Sequence, residues 1–129
     1  MKWVLKMAEY IFTVPYTLIG LNEYINECRR NKYVGANLKR EIEHDLFYII
    51  KKEFRSLKIY KPVIIEYLWV EKDKRRDKDN IAFAQKFVQD ALVMAGILKN
   101  DGWNEIKGFT HDFAVDKKNP RVEIRIVEV

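Results

Sequence analysis

The sequence predicts a mixed α+β fold, a single domain over residues 1–129 in which a small mixed sheet is backed by helices in the order β-α-α-β-α-β-β. Three observations predict it. Segments rich in β-branched and aromatic residues recur along the chain, and apolar residues at helical spacing lie between them. The length of 129 residues, with 48% hydrophobic content, also suits one core.

Tyr10, Phe12 and Val14 alternate with Ile11 and Thr13 until Pro15 stops the pattern, which predicts the first strand. Leu21, Tyr24, Ile25 and Cys28 recur at helical spacing and predict a short helix with Arg29, Arg30 and Lys32 at its end. After Gly35, Asn37 is expected to cap a longer helix with the stripe Leu38, Ile42, Leu46, Ile49, Ile50 and Phe54. Pro62 to Val70 reads as a largely buried strand. The charged stretch Glu71 to Asp79 leads to a helix from about Asn80 to Ala95, which Gly96 ends. Two extended segments, about Trp103 to Val115 and Arg121 to Val129, flank Asp116 to Pro120 and read as a hairpin. Trp69 and Trp103 are expected in the core, with base stacking as the other role open to them.

Composition narrows the function. A net charge of +5 and a pI near 9.2 suit a polyanionic partner or simply a solvated basic surface. Cys28 is the single cysteine, which excludes an internal disulfide and a multi-cysteine zinc site and suggests a packed thiol in a reducing compartment. Met1 to Tyr10 has no leader pattern, and no apolar run is long enough to span a bilayer, so a cytoplasmic protein without a membrane partner is expected. His44 and His111 have no second ligand at metal spacing and are expected as surface or partly buried groups. No phosphate-binding glycine loop or nucleophile elbow occurs, and Ser56 is the only serine.

The chemistry is concentrated in Lys74-Arg75-Arg76-Asp77-Lys78-Asp79-Asn80 and, past the helix, Lys99-Asn100-Asp101. If extended geometry persists, Asp77 and Asp79 point the same way and can share a hard cation. A helix of about 16 residues is roughly 24 Å long, so Asp101 joins them only if the chain folds back beside the sheet. Three carboxylates suit Mg²⁺, with Mn²⁺ as the alternative, and such an ion can activate water at a phosphodiester. Each aspartate also has a plain structural role open to it: Asp79 as a helix cap, Asp77 as a solvated charge, Asp101 as a turn residue before Gly102. Lys74, Arg75, Arg76 and Lys78 beside the pair, with Arg29, Arg30 and Lys32 farther back, offer phosphate contacts or a solvated surface.

These residues resemble the RusA family of Holliday junction resolvases, endonucleases often encoded by phages or prophages. The resemblance runs from about Phe12 onwards and rests on Arg75-Arg76-Asp77-Lys78-Asp79-Asn80, Lys86, Asp90-Ala91-Leu92, Ala95-Gly96-Ile97 and Asn100-Asp101, with Pro15 and Leu21-Asn22-Glu23-Tyr24 similar to the opening of phage-type members. It implies a homodimer that resolves four-way DNA junctions in recombination and repair. Asp77, Asp79 and Asp101 would be catalytic metal ligands and Lys86 a catalytic lysine. The family's paired aspartates after the helix are Asn100-Asp101 here. Three extra residues separate Asp79 from Lys86, which moves its amine by about 4.5 Å along a continuous helix. Lys86 can equally pair with Asp90 at i,i+4, leaving Lys78 as the reserve lysine. The rivals are a DNA-binding protein of the same fold without cleavage and a small structural or regulatory phage protein.

Overall fold

The computed structural model describes residues 8–129, so the reading of the leader region falls largely outside the described residues. The elements are β1 (Glu9–Val14), α1 (Leu21–Arg30), α2 (Lys32–Phe54), β2 (Val63–Glu71), α3 (Lys78–Ala82), α4 (Gln85–Met94), β3 (Ile106–Val115) and β4 (Arg121–Glu128). They form the mixed α+β fold expected from the sequence. A four-stranded sheet has the order β1-β4-β2-β3, and helices cover one of its faces.

Strand alternation sets that face. Phe12 and Val14 from β1, Val63, Ile65, Tyr67 and Trp69 from β2, and Val122, Ile124 and Ile126 from β4 are buried, and they pack with Leu46 and Ile50 of α2 and Phe87, Val88, Ala91 and Leu92 of α4. Burying a side chain of this size stabilises by about 1.5–3 kcal/mol, so this layer dominates the packing. Tyr67 stacks on Trp69 with ring centroids 5.3 Å apart, and the Trp69 indole donates to His111 Nδ1 at 2.9 Å. His111 is thus half-buried, and His44 lies at the surface beside Phe47 and Tyr48.

The expected hairpin does not form. β3 pairs parallel with β2 (Tyr67↔His111), whereas β4 inserts between β1 and β2, antiparallel to both. The physical reason is the crossover: α3 and α4 carry the chain back so that β3 lies alongside β2, which leaves the other side of β2 for β4. The Asp116 N–H, donating to the Glu71 carbonyl at 2.8 Å, fixes the connection at the end of β2.

Two boundaries and two exposures also differ. Asn31, not Asn37, caps α2 by accepting from the Tyr33 N–H at 2.8 Å, and Gly35 lies inside the helix rather than before it. A Cβ at Gly35 would lie 2.5 Å from Cys28 Sγ, so the glycine permits the close crossing of α1 and α2. Cys28 itself is exposed, contrary to the packed thiol expected. The single helix expected from Asn80 to Ala95 is two, because backbone bonds shorten to i→i+3 around Phe83 and Ala84 (Ala84 N–H to Ile81 O, Lys86 N–H to Phe83 O). Gly96, with φ of +75°, ends α4 as predicted. Trp69 is core, but Trp103 is 94% exposed in the loop before β3. Among the described residues no helix is long and apolar enough to cross a membrane.

Candidate functional site

β2 ends in Glu71, a carboxylate whose position on the strand turns it toward the core. It is buried, and Arg76 meets it as a fork: Nε donates to Oε1 at 2.8 Å and Nη2 to Oε2 at 2.9 Å. The third arm of Arg76, Nη1, donates to the Leu18 carbonyl at 2.9 Å. Arg76 therefore ties the loop after β2 to the loop after β1, and a bidentate guanidinium holds that geometry more rigidly than an ammonium could. Arg75, in turn, is close to Asp73 at 3.6 Å and is solvent-exposed.

The same loop is fastened a second time by Asn80. Its side-chain oxygen accepts from the backbone N–H of Asn22 at 2.9 Å, and its amide packs on Gly20, where a Cβ would come within 2.9 Å. Gly20 is the N-cap position of α1 and supplies no side-chain cap. A residue 58 positions away thus satisfies a donor in the first turn of α1.

Between these two fastenings stand Asp77 and Asp79. Extended geometry does not persist through them: Asp77 is the N-cap residue of α3, with φ −70° and ψ 154°, and Asp79 already lies in the helix's first turn. Both are exposed, and the Asp77 side chain makes no capping bond; among the described residues Asp79 Oδ1 accepts only from the N–H of its neighbour Asn80. They nevertheless line one open groove of ≈ 910 Å³ together with Glu71, Asp73, Lys74, Arg76 and Lys78, floored by Ile81 and by Phe113, Ala114 and Val115 of β3. Lys78 extends over the Phe113 ring, 5.5 Å from its centroid.

Asp101 is placed elsewhere. It lines a smaller surface groove of ≈ 280 Å³ with Gln89, Trp103, Lys107 and Phe109, and its carboxylate lies 3.6 Å from Lys86 Nζ. Lys86 donates to Asp90 at 2.9 Å, the i,i+4 pair, and that bond, with the nearby Asp101 charge, raises the lysine above its ordinary pKa. Lys39 joins the same cluster at 3.7 Å from Asp90. The structure brings Asp77 to Asp79 and Lys86 to Asp101 as two groups. Among the described residues no set of three or more acidic, histidine or cysteine side chains is arranged to hold a metal ion.

The second basic group is only partly available. Arg30 pairs with Glu27 at 2.8 Å and Lys32 lies over the Tyr33 ring at 5.1 Å, while Arg29 is exposed. The last turn of α1 is roughly 13 Å along the helix from the Asn80 contact. Sequence reasoning missed the buried Glu71 and the capping by Asn80. A carboxylate closing an apolar strand run was the available signal for the first; a contact across the chain left none for the second.

No family model and no curated protein matches this sequence. Among solved structures, the periplasmic domain of Helicobacter pylori MotB is similar at 20% identity, covering 96% of this chain and 87% of that chain with a TM-score of 0.38, a likeness too low to carry an argument about this chain.

Proposed function

We propose that this protein is a metal-dependent endodeoxyribonuclease that resolves four-way DNA junctions as a homodimer, acting in recombination and repair in the cytoplasm of a bacterial host as a phage- or prophage-encoded enzyme. The observation that carries the reading is that Asp77 and Asp79, both exposed, line the same groove as Lys74 and Lys78. Mg²⁺ is commonly held by one or two carboxylates with waters and substrate phosphate oxygens completing its shell, and two oxygen-bearing side chains fit that donor set, with Mn²⁺ as the alternative. When bound there, the ion would supply Lewis-acid stabilisation and an activated water for phosphodiester hydrolysis.

The chain's own groups take the remaining roles. Lys74 and Lys78 meet phosphates at the groove, Arg75 meets them beside it, Arg29, Arg30 and Lys32 meet them farther out, and Arg76 holds the loop in shape. Lys86 stabilises charge on the phosphate, and Asp101, with Asp90, orients its ammonium. The second reading, a junction-binding protein of this fold without cleavage, is favoured by one observation, the standing of Asp101 with Lys86 and outside the groove.

Incubation with labelled four-way and linear duplex DNA, with Mg²⁺ or with chelator, separates the two. Cleavage should need both the junction and the metal, and Asp79→Asn should abolish nicking while junction binding survives. Undiminished cutting by that variant removes Asp79 from the mechanism; binding without nicks under every metal condition supports the second reading.

A further inference from the structure

The two edges of the sheet are built differently. β1 is six residues long and is followed at once by Pro15, a short edge that invites no partner. β3 has ten residues, contains no proline, and its outer side has no partner strand among the described residues. Apolar surface accompanies it: Phe109 and Val115 are each 48% exposed, and Trp103 in the adjoining groove is 94% exposed. A long apolar edge left open in a native chain is the signature of strand addition.

The side-chain pattern of β3 identifies the occupant. Register with β2 puts Phe109, His111, Phe113 and Val115 on the helix side and Gly108, Thr110, Asp112 and Ala114 on the open side, and the register shift before Gly108 leaves Lys107 without a partner on β2. A two-fold axis perpendicular to the sheet keeps the faces in common, so odd positions oppose odd and even oppose even. Centring on Phe109 would set Gly108 against Thr110 and leave Phe113 beyond the end of the partner strand. Centring on Thr110 would set Phe109 against His111 and Gly108 against Asp112. Centring on His111 gives Phe109 against Phe113, Thr110 against Asp112 and Gly108 against Ala114, with the two neutral His111 rings meeting at the axis. Only this last register joins an aromatic pair, a hydroxyl–carboxylate pair and a small–small pair with no charged side chain facing its like, and each occurs twice by symmetry.

We infer that two copies of this chain join their β3 strands antiparallel, centred on His111, making one continuous sheet whose joined segment runs from Gly108 to Ala114 of each copy. Val115, at the rim of each Asp77–Asp79 groove, then lies roughly 26 Å along the strands from its equivalent in the other copy. This deepens the homodimer proposed above by naming its surface and depends on that reading only for the occupant.

The test uses the full chain without DNA or metal, so its failure is distinct from failure of the cleavage assay. Sedimentation equilibrium at micromolar concentration should return twice the 15.5 kDa chain mass. Phe109→Lys should weaken self-association at least about tenfold, a loss on the order of 1.4 kcal/mol, while Ile11→Lys on the opposite edge leaves it unchanged. In a Cys28→Ser background, Thr110→Cys with Asp112→Cys should cross-link two chains on oxidation, and Thr110→Cys alone should not, because its own symmetry mate is diagonal. This second measurement holds even if Phe109→Lys does not fold. A chain that stays monomeric at every concentration overturns the inference, as does a dimer that Phe109→Lys leaves intact or that the paired cysteines fail to link.

Discussion

Arg76→Ala should cost this protein its stability before it costs any contact with DNA. The substitution removes both bonds of the fork on Glu71 and the bond to the Leu18 carbonyl, leaving a buried carboxylate without a counter-charge. Breaking a fully buried pair costs about 3–5 kcal/mol. The Arg76 side chain is 21% exposed and that of Glu71 10%, so water offsets part of this and about 2–4 kcal/mol remains. An unfolding entropy of about 2.1 cal/mol/K per residue gives about 0.27 kcal/mol/K for 129 residues, so the midpoint should fall by about 7–15 °C. Far-UV circular dichroism melts measure it directly. Replacing both partners, Glu71→Met with Arg76→Met, should recover most of the loss because no charge is then stranded. An Arg76→Ala midpoint within about 2 °C of the parent would refute the clamp, and lost DNA binding at that unchanged stability would return Arg76 to the phosphate contacts.

Asn80→Ala should lower stability by about 1 kcal/mol by removing the cap on α1, while Asn80→Asp keeps the acceptor and most of the stability; urea unfolding with the helical signal decides between them. His111 is held below its ordinary value of 6.5 by burial, and its Nδ1 must stay unprotonated to accept from Trp69. The unfolded chain therefore takes up the proton first, so stability is full above about pH 6.5 and declines below it; His111→Gln should flatten that slope in melts between about pH 6.5 and 5. Lys86 is raised by its bond to Asp90, so it stays charged at neutral pH, and its contribution disappears only as alkaline pH passes its raised value. Because its side chain is 58% exposed, Lys86→Met should shift the melting midpoint by no more than about 2 °C while nicking of junction DNA falls, and a large midpoint shift would make the residue structural.

The parts of the fold that follow from local periodicity were legible. Phe12 and Val14 alternate inward as their spacing requires, the stripe of α2 faces the core, and Gly96 stops α4 with a positive φ. What escaped the sequence were choices between equivalent partners. Arg121 to Val129 is an apolar strand wherever it pairs, so its pattern cannot distinguish a hairpin with β3 from insertion between β1 and β2. Asn31 and Asn37 are both competent caps, and Gly35 looks like a break until the sulfur of Cys28 occupies the space a side chain would need. Trp103 is as apolar as Trp69; only the loop that carries it leaves it in solvent.

At the site, the same limit separates charge from role. Arg75 and Arg76 are adjacent and chemically identical, yet one is exposed and the other is spent on a buried carboxylate five residues back. The difference comes from direction. β2 turns Glu71 inward, which makes a cation mandatory there, and only Arg76 also reaches the Leu18 carbonyl. Asn80 repeats the pattern, caught by the open first turn of α1. With Arg76 and Asn80 both committed to holding the loop, the side chains between them, Asp77, Lys78 and Asp79, are left exposed to the groove. A run of seven polar residues thus divides into fasteners and free groups, and the division is decided by what the neighbouring strand and helix leave unsatisfied. It follows that substitutions at the fasteners should move stability and activity together, whereas those at Asp77 and Asp79 should move activity alone.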